Sequence, residues 1–459
     1  MILLILKDKM HIDKLYDNDY CTINDNERCY LIKRQLVFQE RNLFMTNLLN
    51  SPLTLPGGAV LSNRIAKGAM SEGLADAGND STPRLETLYR TWSASGAGLL
   101  LSGNVQVDRW HLERPNNVVL DEDTNLAALA ALAKAGTSAG NHFWLQLSHT
   151  GRQVSSLINP APLAPSSVEL ELPRELGLTF AVPVEMTEAD IEKVIAQFVY
   201  AARKTREAGF TGVQLHAAHG YLFSQFLSPL TNRRTDRWGG SLDNRARLLL
   251  TVISSIREVV GKEFPIGIKL NSSDFQKGGF TNAECIELVK LLNKTSLDLL
   301  ELSGGSLEQP KVVGVTFKDE GVDGRRESTI KREAYFIDYA KAVREVAEMP
   351  VMVTGNFRTT TGMNTALADG ELDIVGIGRP FIADPLTAKH LLEGELERAL
   401  TPEDAINVIY TLPWFNMQLE RLGDGLEPDL ELEGPEAAVQ FQEIEGQNYA
   451  SILKHRSQQ

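Results

Sequence analysis

Two histidines and a tyrosine stand close together in His216-Ala-Ala-His219-Gly-Tyr221. Imidazoles and phenols donate hydrogen bonds and exchange protons, so this is the strongest local chemical signal in the chain. Paired histidines can also ligate zinc, but the HExxH spacing and its glutamate are absent, and no metal is expected. A lone histidine at a strand end is more often structural; the neighbouring pair and Tyr221 move the balance toward chemistry. Other polar and glycine residues follow short apolar runs: Met70-Ser71, Gly103-Asn104, Gln146 with His149, Lys269, Ser303-Gly304-Gly305, Gly355-Asn356 and Gly378-Arg379. Such a distribution suits a cofactor lying across the open end of a barrel.

The elements that must position these residues are legible as alternating patterns. Eight strand-like runs occur at Arg64–Ala69, Gly98–Val107, Phe143–Ser148, Gly212–His216, Ile266–Leu270, Asp298–Ser303, Pro350–Thr354 and Asp373–Gly378. Near-continuous apolar runs suit parallel strands covered on both faces. Between them lie amphipathic helical patterns with recognisable starts. Thr82-Pro83 offers a cap and a first-turn proline, and Thr187 with Asp190 and Thr281 with Glu284 have capping-box spacing. Gly96, Gly140, Gly209 and Gly261 stand where helices should stop. The alternation predicts an α/β fold, a single (β/α)8 TIM barrel, with insertions after the third and sixth strands. An open dinucleotide-binding sheet is disfavoured because no GxGxxG follows the first strand.

The ends read differently. Residues 1–44 lack periodicity and are expected to be a peripheral extension or to precede the true start. The barrel is expected over 45–400, and 401–459 should add a C-terminal helix and an acidic, loosely packed tail from Glu427.

The 459 residues carry a net charge of −14, with 43% hydrophobic and 23% charged residues. That is a globular composition, and the charge argues against nucleic-acid or anionic-membrane partners. Cys21, Cys29 and Cys285 form neither a CxxC pair nor a four-cysteine cluster site. The apolar start MILLIL is too short for a signal-peptide core, and no stretch approaches a membrane span. A cytoplasmic enzyme is the expectation.

The segment HAAHGYLFSQFLSPLTNRRTDRWGGS resembles the Old Yellow Enzyme, or NADH:flavin oxidoreductase, family. The likeness extends from Leu61 to Pro385, about seven tenths of the chain, through LSNRIAKGAMSEGLAD, WLQLSHTGRQ, GIKLNSSDF, ELSGG, VTGNFRT and VGIGRPFIADP. It implies bound FMN, NAD(P)H as hydride donor, and ping-pong reduction of an electrophilic alkene such as an enone or enal. Under that resemblance His216 and His219 hold the substrate's carbonyl oxygen and Tyr221 protonates the alkene. Ala69, Met70, Ser71, Gly103, Gln146 and Lys269 would meet the flavin ring. Gly304, Gly305, Gly355, Asn356, Gly378 and Arg379 would receive its phosphate end.

This sequence departs from the family at Lys269, where arginine is commoner, at Ser71, where threonine or cysteine is usual, and at Ala69, which replaces a frequent proline. A lysine there supplies a point charge instead of a planar fork; an ion pair with a neighbouring acid is its structural alternative. The rival readings are a barrel flavoprotein oxidase or dehydrogenase using another acceptor, and a non-catalytic phosphate-binding barrel. Loops 104–122, 155–186 and 305–331 are expected to shape the substrate pocket. Trp238 to Arg245 should brace the loop after the fourth strand.

Overall fold

The computed structural model describes residues 47–172, 179–308 and 337–458. The chain divides into two units, Met1–Leu48 and Leu49–Gln459, and the barrel belongs to the second. Cys21, Cys29, the extension expected over 1–44 and most of the loop 305–331 lie outside the described residues.

Each of the eight apolar runs forms a strand: β1 (Ile65–Lys67), β2 (Leu99–Gln106), β3 (His142–Ser148), β4 (Gly212–Ala217), β5 (Ile266–Asn271), β6 (Leu299–Ser303), β7 (Val351–Thr354) and β8 (Ile374–Ile377). They pair in parallel and close in the order β6-β7-β8-β1-β2-β3-β4-β5, the barrel expected from the alternation.

Strand periodicity explains why the barrel carries a site at one end. Alternate residues point inward, so two residues along a strand is one layer up. The lower layers are apolar: Ala66, Leu99, Leu101, Trp144, Leu299, Met352 and Ile374 form one buried cluster. Trp144 fills its centre, and the neighbouring strand gives way to it. A Cβ at Gly212 would lie 2.5 Å from the indole nitrogen. One layer higher the inward residues are polar: Gln146 two beyond Trp144, Glu301 two beyond Leu299, with Gln214 and Lys269 beside them. The apolar layers fix the barrel, and the polar layer faces its mouth.

The helices follow the sequence signals. α1 (Pro83–Ser93), α2 (Leu126–Gly136), α3 (Glu188–Glu207), α4 (Leu222–Leu227), α5 (Leu242–Val260), α6 (Asn282–Leu292), α7 (Ile337–Arg344), α8 (Thr360–Ala368), α9 (Pro380–Ala383) and α10 (Thr387–Glu393) alternate with the strands. Thr82 caps α1, and reciprocal capping boxes start α3 (Thr187 with Asp190) and α6 (Thr281 with Glu284). The Trp238–Arg245 segment is a brace. Asn232 donates to the Trp238 carbonyl at 2.8 Å, Ser241 caps α5, and Arg245 bonds Leu227 and Glu284.

The C-terminal segment corrects one expectation. α11 (Val408–Gly423) is followed by α12 (Gly434–Arg456), so the residues after Glu427 do not form a loosely packed tail. α12 buries Ala437 and Ile452, and Glu445 pairs with Arg114 at 2.6 Å. Its acidic surface hid a narrow apolar stripe; the proline in its first turn and the basic residues of its last turn suit a helix. Among the described residues no helix is long and apolar enough to cross a membrane.

Candidate active site

Strand register assembles the site. Asn104, Gln146 and Gln214 are partners across β2, β3 and β4, while His216, Lys269 and Glu301 are partners across β4, β5 and β6. Residues far apart in sequence therefore stand side by side at one end of the barrel. The β2–β3 register shifts between Leu101 and Asn104, and such bulges re-aim side chains. A cavity of about 180 Å³ opens here, lined by Ala69, Met70, Ser71, Asn104, Glu113, Gln146, His216, His219, Tyr221 and Lys269. Eight of these are residues singled out from sequence; Asn104 was noted at its strand end without a role, and Glu113 was missed.

The three residues of the His-Ala-Ala-His-Gly-Tyr segment face one another. The His216 and His219 rings are 5.0 Å apart, and His216 is 4.7 Å from Tyr221 with the rings perpendicular. The turn that does this needs left-handed backbone at His219 (φ 59°) and Gly220 (φ 78°). For a histidine that conformation is uncommon and must be held by its surroundings. The His219 amide donates to Asn271 Oδ1 at 3.1 Å, its carbonyl accepts from Gln153 at 3.0 Å, and its Nε2 meets Ser303 Oγ at 2.7 Å.

Burial keeps both imidazoles neutral. The His216 pKa falls well below the usual value through burial, then through His219 and Lys269. His219 falls to about 3 through burial and the Lys269 charge. The Ala218 amide donates to His216 Nδ1 at 3.3 Å, which leaves the ring proton on Nε2. Burial, and then the neighbouring Glu113, push the Tyr221 phenol well above its usual value, so it enters any reaction protonated.

Opposite these groups a buried chain of hydrogen bonds underlies the cavity. Gln146 Nε2 donates to Gln214 Oε1 at 2.7 Å, Gln214 Nε2 to Glu301 Oε2 at 2.7 Å, and Lys269 Nζ pairs with Glu301 Oε1 at 3.0 Å. Lys269 therefore has an acidic partner and still faces the cavity. Gln214 and Glu301 went unremarked in the sequence, although each sits two residues before a noted one on its strand.

The residues expected to meet the ring have chemistry that suits a flat cofactor. Gln146 offers an amide and Lys269 a cation, the donor set that a flavin's polar edge requires. Gly103 has a different immediate reason for being glycine. A Cβ there would lie 2.2 Å from Glu72 Oε2 and 2.4 Å from the Met70 carbonyl, while its amide donates to Glu72 Oε1 at 2.7 Å. Glu72 also accepts from Tyr89, so it ties β2 to the segment carrying Met70 and Ser71. Gly103→Ala is expected to cost about 1–3 kcal/mol by overpacking. It should also lower FMN retention; denaturant midpoints and the flavin-to-protein absorbance ratio check both effects.

The residues expected at the phosphate end do not line this cavity, although all follow β6, β7 and β8. Asn356 has left-handed backbone (φ 60°) at the end of β7. Arg379 lies 3.5 Å from Glu403, a carboxylate that Arg358 already holds at 2.6 Å, so its guanidinium is only loosely tied. Gly378 lies against Met70, and Gly304 and Gly355 sit at their strand ends. Gly305 departs from its expected role. Its amide donates to the Ser273 carbonyl and its carbonyl accepts from Asn271, so it serves the loop and presents no free N–H to an anion.

Asp108, His111 and His149 form a second buried cluster with ligand atoms within 4.8 Å of one another. Its polarity is wrong for a metal. Backbone amides donate to His111 Nε2 (from Leu163, 3.0 Å) and His149 Nδ1 (from Gly151, 3.0 Å), leaving protons on the other nitrogens. A metal-bound histidine donates from its second nitrogen instead. The His111 Nδ1 proton goes to Asp108 at 3.0 Å.

Known proteins share this chain's sequence pattern and its barrel. The sequence model of the NADH:flavin oxidoreductase / NADH oxidase family matches residues 49–397. The chain is 36% identical over 381 residues to the NADH-dependent flavin oxidoreductase nadA of Aspergillus parasiticus, covering 80% of this chain and 83% of the relative. It is 37% identical over 354 residues to iliE of Neonectria sp., also an NADH-dependent flavin oxidoreductase, covering 74% of this chain. There the chain spans about half of the relative's length, 46%. Among solved structures, morphinone reductase in complex with tetrahydroNAD superposes with a TM-score of 0.63 at 26% identity, covering 77% of this chain and 93% of that one. An Old Yellow Enzyme homologue from Zymomonas mobilis gives 0.65 at 25%, covering 77% and 95%. The chain belongs to the NADH:flavin oxidoreductase / NADH oxidase family, a family of oxidoreductases that work with FMN and NAD(P)H.

Proposed function

We propose that this enzyme reduces the carbon–carbon double bond of electrophilic alkenes, enones and enals among them, at the cavity between His216, His219 and Tyr221. The observation that carries the reading is the convergence of two neutral imidazoles and a protonated phenol on one small cavity, with Gln146 and Lys269 forming another part of its wall. Bound FMN would supply the hydride, taken from NAD(P)H, to the substrate's β-carbon.

The chain's own residues do the rest. His216 and His219 donate N–H bonds to the substrate oxygen, where negative charge gathers as the β-carbon gains hydride. Two neutral donors at that oxygen would stabilise the charge. The same bonds orient the alkene, because an oxygen held at two points fixes the plane of a conjugated system. Tyr221 places its phenolic proton beside the α-carbon and releases it there. Lys269, with Glu301 behind it, would hold the electron-rich edge of the cofactor, and Gln146 its amide edge. Arg379, with Gly378, Gly355, Asn356 and Gly304, would take the phosphate end, and Ala69, Met70, Ser71 and Gly103 would border the ring. The substrate is a small molecule.

Isotopes test the assignment. With 4-deuterated NAD(P)H and cyclohexenone, cyclohexanone should carry deuterium at the β-carbon; in D2O with unlabelled cofactor it should appear at the α-carbon. Oxidation of NAD(P)H without formation of cyclohexanone would overturn alkene reduction.

A further inference from the structure

The cavity holds one carboxylate that the chemistry above does not use. Glu113, from the loop after β2, lines the cavity beside the proton donor. Its Oε2 accepts from Ser71 Oγ at 2.5 Å and Asn104 Nδ2 at 2.5 Å, and the Tyr221 phenol lines the same cavity beside it. All three groups are neutral. Among the described residues no cation pairs with Glu113. Its neighbour Arg114 turns the other way, to Glu445 at 2.6 Å and to Asn416, and its guanidinium packs over Gly73.

The other charge in the cavity is already matched: Lys269 sits 3.0 Å from Glu301, which is fully buried. Both histidines are neutral. Glu113 is therefore a carboxylate of the cavity wall that no cation pairs among the described residues, and it sits at the end where Tyr221 meets the substrate. The loop is built to keep it there. Asn117 Oδ1 accepts the amides of Glu113 and Arg114 at 2.9 and 2.8 Å, and α11 and α12 hold Arg114 from outside.

We infer that Glu113 is a specificity-determining residue that selects uncharged electrophiles and rejects those bearing a carboxylate next to the reacting double bond. This rests on the alkene-reductase reading of the same cavity. A substrate carboxylate placed against Tyr221 would lie a few ångströms from the Glu113 carboxylate with no counter-ion between them. At protein-surface screening such a repulsion is worth roughly a hundredfold in affinity. A neutral carbonyl or nitro group meets no such penalty, and a carboxamide can donate to Glu113.

The test uses the oxidised flavoprotein and two isosteric ligands, benzamide and benzoate, each titrated while the flavin absorbance is followed. It adds kcat/KM for 3-oxocyclohex-1-ene-1-carboxamide and the corresponding carboxylate. Wild type should favour the neutral member of each pair by at least about thirtyfold, and Glu113→Gln should shrink that ratio at least tenfold. A wild-type ratio near one overturns the inference without any variant, which covers a Glu113→Gln protein that fails to fold. An unchanged ratio in Glu113→Gln overturns it too. Failure to reduce even the neutral enone, with flavin bound and bleached by NAD(P)H, would fault the alkene-reductase reading; the benzamide-to-benzoate ratio then decides the charge selectivity separately.

Discussion

Tyr221→Phe is expected to slow reoxidation of the reduced enzyme by cyclohexenone by about 10²–10⁴-fold, the usual worth of a positioned proton donor. Reduction by NAD(P)H should change little, because hydride uptake needs no proton from this side chain. The two half-reactions separate in stopped-flow absorbance. The substitution removes only the hydroxyl, and the ring, 4.7 Å from His216, retains its packing. Its expected structural cost is small, since Asn104 reaches the hydroxyl only at 3.4 Å. Equal slowing of both half-reactions would point to a disturbed cofactor site instead of a lost proton.

His216→Ala should lower kcat with cyclohexenone by about 10²–10³-fold, the cost of deleting one donor to a developing oxyanion. His216 is the better probe of the pair because it sits within β4, where alanine is unstrained. His219 has φ 59°, so its alanine variant would mix backbone strain with loss of the donor. His216→Asn restores an N–H and should recover at least about tenfold of the loss. If alanine and asparagine behave alike in single-turnover measurements, the ring contributes shape and not a hydrogen bond.

Much of the fold was legible because barrel strands and capped helices carry strong local signals. The apolar runs that became β1 to β8 are buried on both faces, so nothing in their environment diluted the pattern. Thr187 with Asp190 and Thr281 with Glu284 read correctly because a capping box is a contact over three residues. α12 escaped because its apolar stripe is thin and much of the helix is solvated.

The site divides along the same line. His216, His219 and Tyr221 lie within one short segment, whereas Glu113 comes from a loop more than a hundred residues earlier, and loops have no periodicity to betray an inward side chain. Gln214 and Glu301 were legible in principle: inward alternation from His216 and Ser303 points to both. Gly305 misled because a strand-end glycine can serve either an anion or a tight loop. Only its engaged amide, donating to Ser273, separates the two.

The most direct measurement is anaerobic flavin absorbance of the purified protein, reconstituted with FMN where needed, during addition of NAD(P)H and then cyclohexenone. Bleaching by the nicotinamide followed by full recolouring on adding the enone is the predicted result. A protein that never acquires a flavin spectrum, or one that bleaches and stays bleached in the presence of the enone, would contradict alkene reduction at this cavity.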